Sequence, residues 1–421
     1  MEADMLNRIE ADYLIETPID PRRAAEVMAG EQSSGTFISL PSETAELKER
    51  SAARIEALDL LPDVSSPSLP GSSATDGQLV HRAKVTVSWP MDNIGADLPG
   101  LMTTVAGNLF ELQQFSGLRI LDIRLPDSFM KGFDGPKFGI EGTRRLSGVF
   151  DRPLIGTIIK PSVGLSAAET AALSKELAEA GIDFLKDDEL QIDGIYCPFE
   201  QRVDTVMAVL NDYANRTGKK PMFAFNLSGD VDQMRRRHDH VLARGGTCIM
   251  VSLTSVGLSG FLSIARHAQL PIHAHRNGWG YLSRAPMLGW SYIAWQKFWR
   301  LAGADHMHCN GIRNKFSEAD ENVIASAREC LTPLSASHPC TVMPVLSSGQ
   351  SAEQISDTWK ALQTPNVIYA AGGGIMGHPG GAAAGVASLK QGWEAAMNDI
   401  PASSWPARFP ELATAVATFR K

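Results

Sequence analysis

Cysteine is scarce in this chain of 421 residues, and its spacing pairs none of it. The 5 cysteines, Cys197, Cys248, Cys309, Cys330 and Cys340, stand apart with no C-x-x-C motif. That spacing, and an odd number in a large chain, point to reduced thiols in a cytoplasm rather than a disulfide frame. Long apolar runs are missing too: nothing approaches the roughly 20 residues that a membrane helix needs. The start, Met-Glu-Ala-Asp-Met-Leu-Asn-Arg, lacks the basic-then-apolar order of an export signal. Runs of one charge are also absent. With 39 basic and 47 acidic residues the net charge is −8, so no nucleic-acid surface is expected. What remains is an ordinary soluble composition, 44% hydrophobic and 20% charged. The length suits two domains, one of them large enough to be a barrel of roughly 250 residues.

The residue pattern divides the chain into residues 1–145 and 146–421. The first part shows strand alternation at 11–17, 84–89 and 119–125, and a helix opening at Pro21. Between them, the Ser-, Pro- and Gly-rich stretch 64–77 reads as an exposed, mobile loop. This mixture predicts an α+β, ferredoxin-like domain. From Pro153 onward, short apolar runs recur at 154–160, 182–186, 222–227, 248–253, 271–275, 306–309, 341–346 and 367–371. Most segments between them carry helical spacing, as at 166–180 with its Ser166-x-x-Glu169 capping box. Eight such units predict an α/β fold whose C-terminal part is a (β/α)8 TIM barrel.

Barrel active sites lie at the C-terminal ends of the strands, and those ends are readable here. They are Lys160, Lys186-Asp187-Asp188-Glu189, Asn226, His273-Ala274-His275-Arg276, Asp305-His306-Met307-His308, Ser347-Ser348-Gly349 and Gly372-Gly373-Gly374. Polar or glycine-rich ends on seven strands predict a site. Its centre is Gly181-Ile182-Asp183-Phe184-Leu185-Lys186-Asp187-Asp188-Glu189. Period-two alternation puts Lys186 and Asp188 on one face, with Glu189 at the turn beyond. Two uses fit such a lysine. It is a salt-bridged structural residue, or it captures CO2 as a carbamate and joins Asp188 and Glu189 as a third oxygen ligand for Mg²⁺.

The remaining ends also have two readings each. Gly372-Gly373-Gly374 is a flexible turn or, with Gly349, a phosphate cradle of bare backbone N–H groups. His273 and His275 are spaced as metal ligands, but neighbouring Arg276 favours an anion instead. One histidine of each pair, 273/275 and 306/308, is expected to face the active centre. Trp279, Trp290 and Trp295 suit packing or a lid.

Together these motifs resemble the large subunit of RuBisCO, and more closely the non-carboxylating RuBisCO-like proteins (form IV). The likeness runs from about Glu31 to Gly380. It is carried by Ile159-Lys160-Pro161, the 181–189 run, His273-Ala274-His275-Arg276, Gly303-Ala304-Asp305-His306-Met307-His308 and Gly372-Gly373-Gly374-Ile375-Met376-Gly377-His378-Pro379. The resemblance implies a carbamylated Lys186 that binds Mg²⁺ with Asp188 and Glu189. It implies Lys160 over the enediolate as proton carrier, and His275 as a second acid/base or orienting group. It makes Arg276, His308 and Ser347 one anion pocket, and Thr36, Lys315, Gly349, Gly372 and Gly373 another. Lys315 then belongs to the loop that closes over substrate. Glu31 and Asn108 would be delivered into the site of a second subunit, so the active unit is at least a homodimer.

Departures from the family narrow the reaction. The carboxylases have a second lysine where this chain has Ser162, and a histidine where it has Trp279. The segment after Gly311 is rewritten, and Lys421 stands where they continue into a long tail. CO2 fixation is therefore not expected, whereas enediolate chemistry is. Methionine-salvage enolases of the family carry a lysine base at the place of Asn108, which ranks isomerisation of 5-methylthioribulose 1-phosphate third. A sugar acid with phosphate at one end and carboxylate at the other would fill both anion pockets. The implied reaction is C–C cleavage of 3-oxo-isoapionate 4-phosphate, with decarboxylation ahead of transcarboxylation and hydrolysis. Two other classes compete. A two-zinc barrel hydrolase would use His273, His275 and carbamylated Lys186; a decayed, non-catalytic relative would have lost Lys186, Asp188 or Glu189, and all three are present.

Overall fold

In the computed structural model, which describes residues 7–35 and 40–420, alternating apolar positions assemble thirteen strands into two separate sheets. The chain divides into two compact units. One is Met1–Asp134 with Gly278–Leu301 and Ser335–His338; the other is Gly135–Asn277, Ala302–Leu334 and Pro339–Lys421.

The first unit holds strands β1 (Arg8–Thr17), β2 (Arg54–Val64), β3 (Val80–Pro90), β4 (Gly117–Arg124) and β10 (Leu288–Trp290), in the order β10-β4-β1-β3-β2. The pairs β1–β3, β1–β4 and β2–β3 are antiparallel, and β10 joins β4 in parallel. Burial alternates along β1 through Ile9, Ala11, Tyr13 and Ile15, and along β3 through Val85, Val87 and Trp89. The helix Pro21–Glu31 is capped by Asp20, whose carboxylate accepts from the Arg23 N–H at 2.9 Å. Two strands escaped the sequence reading. β2 is an edge strand with no buried residue, so it has no apolar period, and it carries Pro62 where an unpaired edge tolerates it. β10 is only 3 residues long. The 64–77 stretch is largely exposed as expected, but it is pinned rather than loose. Buried Glu16 accepts from the Ser68 N–H at 2.6 Å and its hydroxyl at 2.8 Å, and Leu69 and Ser73 donate to the backbone of Ser116 and Gln113.

The second unit is a closed barrel of eight parallel strands: β5 (Leu154–Ile158), β6 (Phe184–Lys186), β7 (Met222–Asn226), β8 (Cys248–Ser252), β9 (Ile272–His275), β11 (His306–Asn310), β12 (Met343–Ser347) and β13 (Ile368–Ala370). All eight apolar runs read from the sequence became these strands. The helix Ala167–Glu179 starts with the expected capping box: Ser166 accepts from the Glu169 N–H, and Glu169 from that of Ser166.

Period two then sorts the barrel interior. Leu154, Phe184, Met222, Ala224, Cys248, Met250, Met343, Val345, Ile368 and Ala370 form one buried cluster. Burying its Leu, Phe, Met, Val and Ile side chains contributes about 1.5–3 kcal/mol each. Gly156 makes room for the largest of them: a Cβ there would lie 3.2 Å from the Phe184 ring. The next inward positions in the same phase are Lys186, Asn226, Ser252, His275, His308 and Ser347, so the interior turns polar at the strands' C-terminal ends.

Asp187 has the opposite phase and is held from outside. Its Oδ2 accepts from the Asn226 N–H at 3.0 Å and pairs with Arg202 at 3.1 Å, both side chains fully buried. Arg202, on the helix Phe199–Thr217, also donates to the carbonyls of Ile192 and Cys197. Removing one partner strands a charge in the interior. Arg202→Met is therefore expected to lower the unfolding free energy by about 3–5 kcal/mol, read as a shift in the urea midpoint; a change within error would refute the buttress.

Candidate active site

Lys186 ends β6 with 1% of its surface exposed. Its ammonium donates to the Asp187 carbonyl at 2.8 Å and lies 3.7 Å from the Met250 sulfur. Burial lowers its pKa, and the opposing fields of Glu189, Asp188 and Asp187 do not restore it. The amine is thus easier to deprotonate than a surface lysine. Asp188 is buried and accepts from Lys160 Nζ at 2.5 Å and from the Leu190 N–H at 3.1 Å. Burial pushes its pKa up, but the hydrogen bonds from Lys160 and Leu190 outweigh it and hold the carboxyl below its usual range. Lys160 also donates to Ser162 at 2.7 Å, so the residue that departs from the carboxylase pattern has become its partner. Glu189 is half-buried, with a carboxylate oxygen 3.6 Å from His275 Nε2. Asn226 ties this corner together by donating to the carbonyls of Asp188 and Glu189 at 3.4 and 3.2 Å.

The four histidines of β9 and β11 fill the barrel in two tiers, all inward in phase. His275 and His308 form the upper tier, with ring centroids 4.3 Å apart. His273 and His306 lie beneath, each under 6 Å from the Phe184 ring. One member of each pair thus reaches the polar end, as expected. Neither nitrogen of His273 has a hydrogen-bond partner among the described residues. His306 meets the Thr143 hydroxyl at 2.8 Å, on the helix Gly139–Ser147. Burial depresses all four imidazoles, His306 to about 3. Asp305 needs correcting: it precedes β11 and so sits at the far end of the barrel. There it accepts from the N–H groups of Phe138, Gly139 and Ile272, while burial raises its pKa to about 6.

Of the anion-pocket residues, Ser347 and His308 meet directly. Ser347 Oγ lies 2.6 Å from His308 Nε2. Arg276, 4% exposed, pairs with Glu318 at 2.5 Å, and the same carboxylate oxygen accepts from Asn310 at 2.6 Å. Gly349 takes a positive φ of 89°, next to Ser348 at 71°. Gly372 and Gly373 face open space, where a Cβ would touch nothing within 4 Å. Lys315 docks through its backbone N–H on the Ser348 carbonyl at 3.1 Å, and its ammonium rests 5.2 Å from the Phe316 ring centroid. Glu31 and Asn108 belong to the first unit and are exposed there. Thr36 lies outside the described residues.

Sequence reasoning missed three contributors. Asn310 is two residues past His308 and could have been found by continuing the period. Asn226 was visible as a strand end but had no assigned task. Glu318 lies in a loop with no periodic signal. Among the described residues, no convergent group of three His, Cys, Asp or Glu side chains includes His273 or His275. The group that does converge, His238, Asp239 and His267, is already closed: Asp239 bonds both rings, and His238 Nε2 accepts from the Gln269 N–H at 3.0 Å.

The family model for the ribulose bisphosphate carboxylase large chain, catalytic domain, matches residues 139–419, and that for its N-terminal domain matches 11–129. A 3-oxo-isoapionate-4-phosphate transcarboxylase/hydrolase of Xanthobacter autotrophicus is 56% identical over 416 residues, covering 99% of this chain and 100% of that one. A 3-oxo-isoapionate-4-phosphate decarboxylase of Rhizobium rhizogenes is 43% identical over 413 residues, with 98% of each covered. The crystal structure of a rubisco-like protein from Burkholderia fungorum superposes with a TM-score of 0.92 at 46% identity, covering 98% of this chain and 99% of that chain.

The depressed histidines carry a pH signature. A group whose folded pKa lies below its unfolded value withholds protons the unfolded chain binds, so stability falls as pH drops below about 6.5. Asp305 acts in the opposite sense below about 6. Exchanging His306 for Gln is expected to flatten the stability-versus-pH slope between pH 6 and 5 by about 1.4 kcal/mol per unit. Urea midpoints across that range decide it, and an unchanged slope would mean that His306 titrates normally.

Proposed function

Because the chain belongs to the RuBisCO large-chain family, in its RuBisCO-like branch, we propose that it is an enzyme breaking a C–C bond of 3-oxo-isoapionate 4-phosphate. The observation that carries the chemistry is Lys186, a buried and desolvated amine beside two carboxylates at the barrel mouth. Deprotonated, Lys186 takes up CO2 as a carbamate and, with Asp188 and Glu189, offers three hard oxygen donors suited to Mg²⁺. When bound, that ion would polarise the substrate's ketone and ease formation of an enediolate.

This chain's own residues do the rest. Lys160, released from Asp188, carries the proton that returns to carbon. His275, neutral and beside Glu189, exchanges a proton with a substrate hydroxyl. Gly349, Gly372, Gly373, Lys315 and Thr36 receive the phosphate, the glycines through bare backbone with open space before Gly372 and Gly373. Arg276, His308 and Ser347 take the opposite end. The active unit is a cytoplasmic homodimer that delivers Glu31 and Asn108 across its interface. All five cysteines are buried and outside any disulfide, and no helix among the described residues is long and apolar enough to cross a membrane.

Within this reading, higher identity to the transcarboxylase/hydrolase than to the decarboxylase favours cleavage with water over loss of CO2, the reverse of the order read from the sequence. Product analysis separates them. With Mg²⁺ and bicarbonate present, 3-oxo-isoapionate 4-phosphate is expected to yield two fragments with no net CO2, whereas stoichiometric CO2 release would establish decarboxylation. Turnover of 5-methylthioribulose 1-phosphate alone would replace the substrate assignment.

A second measurement addresses the lysine. Wild-type protein equilibrated with 13C-bicarbonate and Mg²⁺ is expected to show a carbamate resonance that Lys186→Ala lacks. Losing Lewis-acid help of about 4 kcal/mol would slow turnover about 1000-fold. A carbamate signal surviving in the variant would move the modification elsewhere.

A further inference from the structure

The pocket formed by Arg276, His308 and Ser347 already contains an anion of the protein's own. Glu318 lies between β11 and the helix Asp320–Leu331, and its side chain turns in to pair with Arg276 at 2.5 Å. Asn310 fixes the same oxygen at 2.6 Å, and Ser348 donates to Asn310 Oδ1 at 2.8 Å. Ser348 lies 3.3 Å from Ser347, which meets His308 at 2.6 Å. The carboxylate is therefore built into a continuous network rather than resting on a surface arginine. The Asn314 side chain adds a hold on the loop by donating to the Glu318 carbonyl at 3.2 Å.

The charge balance of this network limits what it can bind. Arg276 contributes one positive charge and Glu318 cancels it. His308 adds none, since burial and the nearby Arg276 disfavour its imidazolium. A phosphate dianion here would bring two charges to a pocket where, among the described residues, Glu318 already matches the charge of Arg276, and would face a carboxylate in a site largely shielded from water. A carboxylate or hydroxyl end meets a smaller penalty, because a guanidinium with five donors can serve two acceptors at once.

From this geometry we infer that Glu318 is a specificity-determining residue: it reserves the Arg276 pocket for an end group carrying at most one negative charge and excludes a second phosphate. The inference rests on the two-pocket reading above and deepens it. The substrate class becomes a sugar-acid monophosphate, and 1,5-bisphosphates of the kind used by carboxylases are rejected by charge rather than by size.

Titration calorimetry with two four-carbon probes, erythronate 4-phosphate and erythritol 1,4-bisphosphate, tests this in the presence of Mg²⁺ and bicarbonate, with the Glu318 variants separating charge from size. Wild-type protein is expected to prefer the acid by about tenfold or more. Glu318→Gln keeps the shape and an acceptor but removes the charge; it should tighten the bisphosphate by about tenfold while changing the acid by less than about threefold. Glu318→Ala should shift the ratio in the same direction, which guards against a folding defect peculiar to one variant. A wild-type preference for the bisphosphate would overturn the inference. So would variants that weaken both ligands in proportion, the result expected if Glu318 merely braces the loop. If neither probe binds wild-type protein, the two-pocket reading fails and this inference falls with it.

Discussion

An ammonium stripped of water must be matched by charge or surrender its proton, and the position of Lys186 imposes that choice. Phe184 lies two residues behind it in the apolar cluster, and Met250 sulfur lies alongside. Asp188 and Glu189 stand ahead of it, yet Asp188 is already engaged by Lys160. The lysine is therefore surrounded by carboxylates without being neutralised by a dedicated partner. Most other features of the barrel mouth serve to hold that arrangement. Asp187 is drawn outward by Arg202, and Asn226 clamps the two carbonyls that follow.

One period governs both stability and chemistry. The inward phase that buries Met222 and Ala224 continues to Asn226; that of Met343 and Val345 continues to Ser347. A single-residue slip in any strand would turn its polar end away from the interior, towards the buried outer face of the barrel. Packing at the bottom thus fixes the aim of the side chains at the top, and the site inherits its rigidity from the core.

The same period explains what could be read from the sequence. Eight barrel strands were visible because each is a short apolar run bounded by helix or turn signals, and the capping box at Ser166 marked one helix start to the residue. Lys186, Asp188 and His275 were legible because strand ends are where barrels place polar groups. β2 was not, since an exposed edge imposes no alternation on its residues. Asp305 was assigned to the wrong end because a polar residue at a strand start resembles one at a strand end when the boundary is uncertain by a few positions. Glu318 was invisible for a deeper reason. It reaches the site only through the path of a loop, and no local rule ties a loop carboxylate to an arginine forty-two residues earlier.

Arg202 sets a limit on how this scaffold can be altered. One guanidinium serves a carboxylate beside the reactive lysine, the carbonyl of Ile192 and that of Cys197, so a surface strap and a ladder strand share an anchor. The strap displays Leu190, Ile195 and Tyr196 to solvent, which looks like an inviting place for redesign. It is not independent of the barrel, because Arg202 ties it to Asp187. Insertions or shortened variants there would pull on the backbone at residue 187.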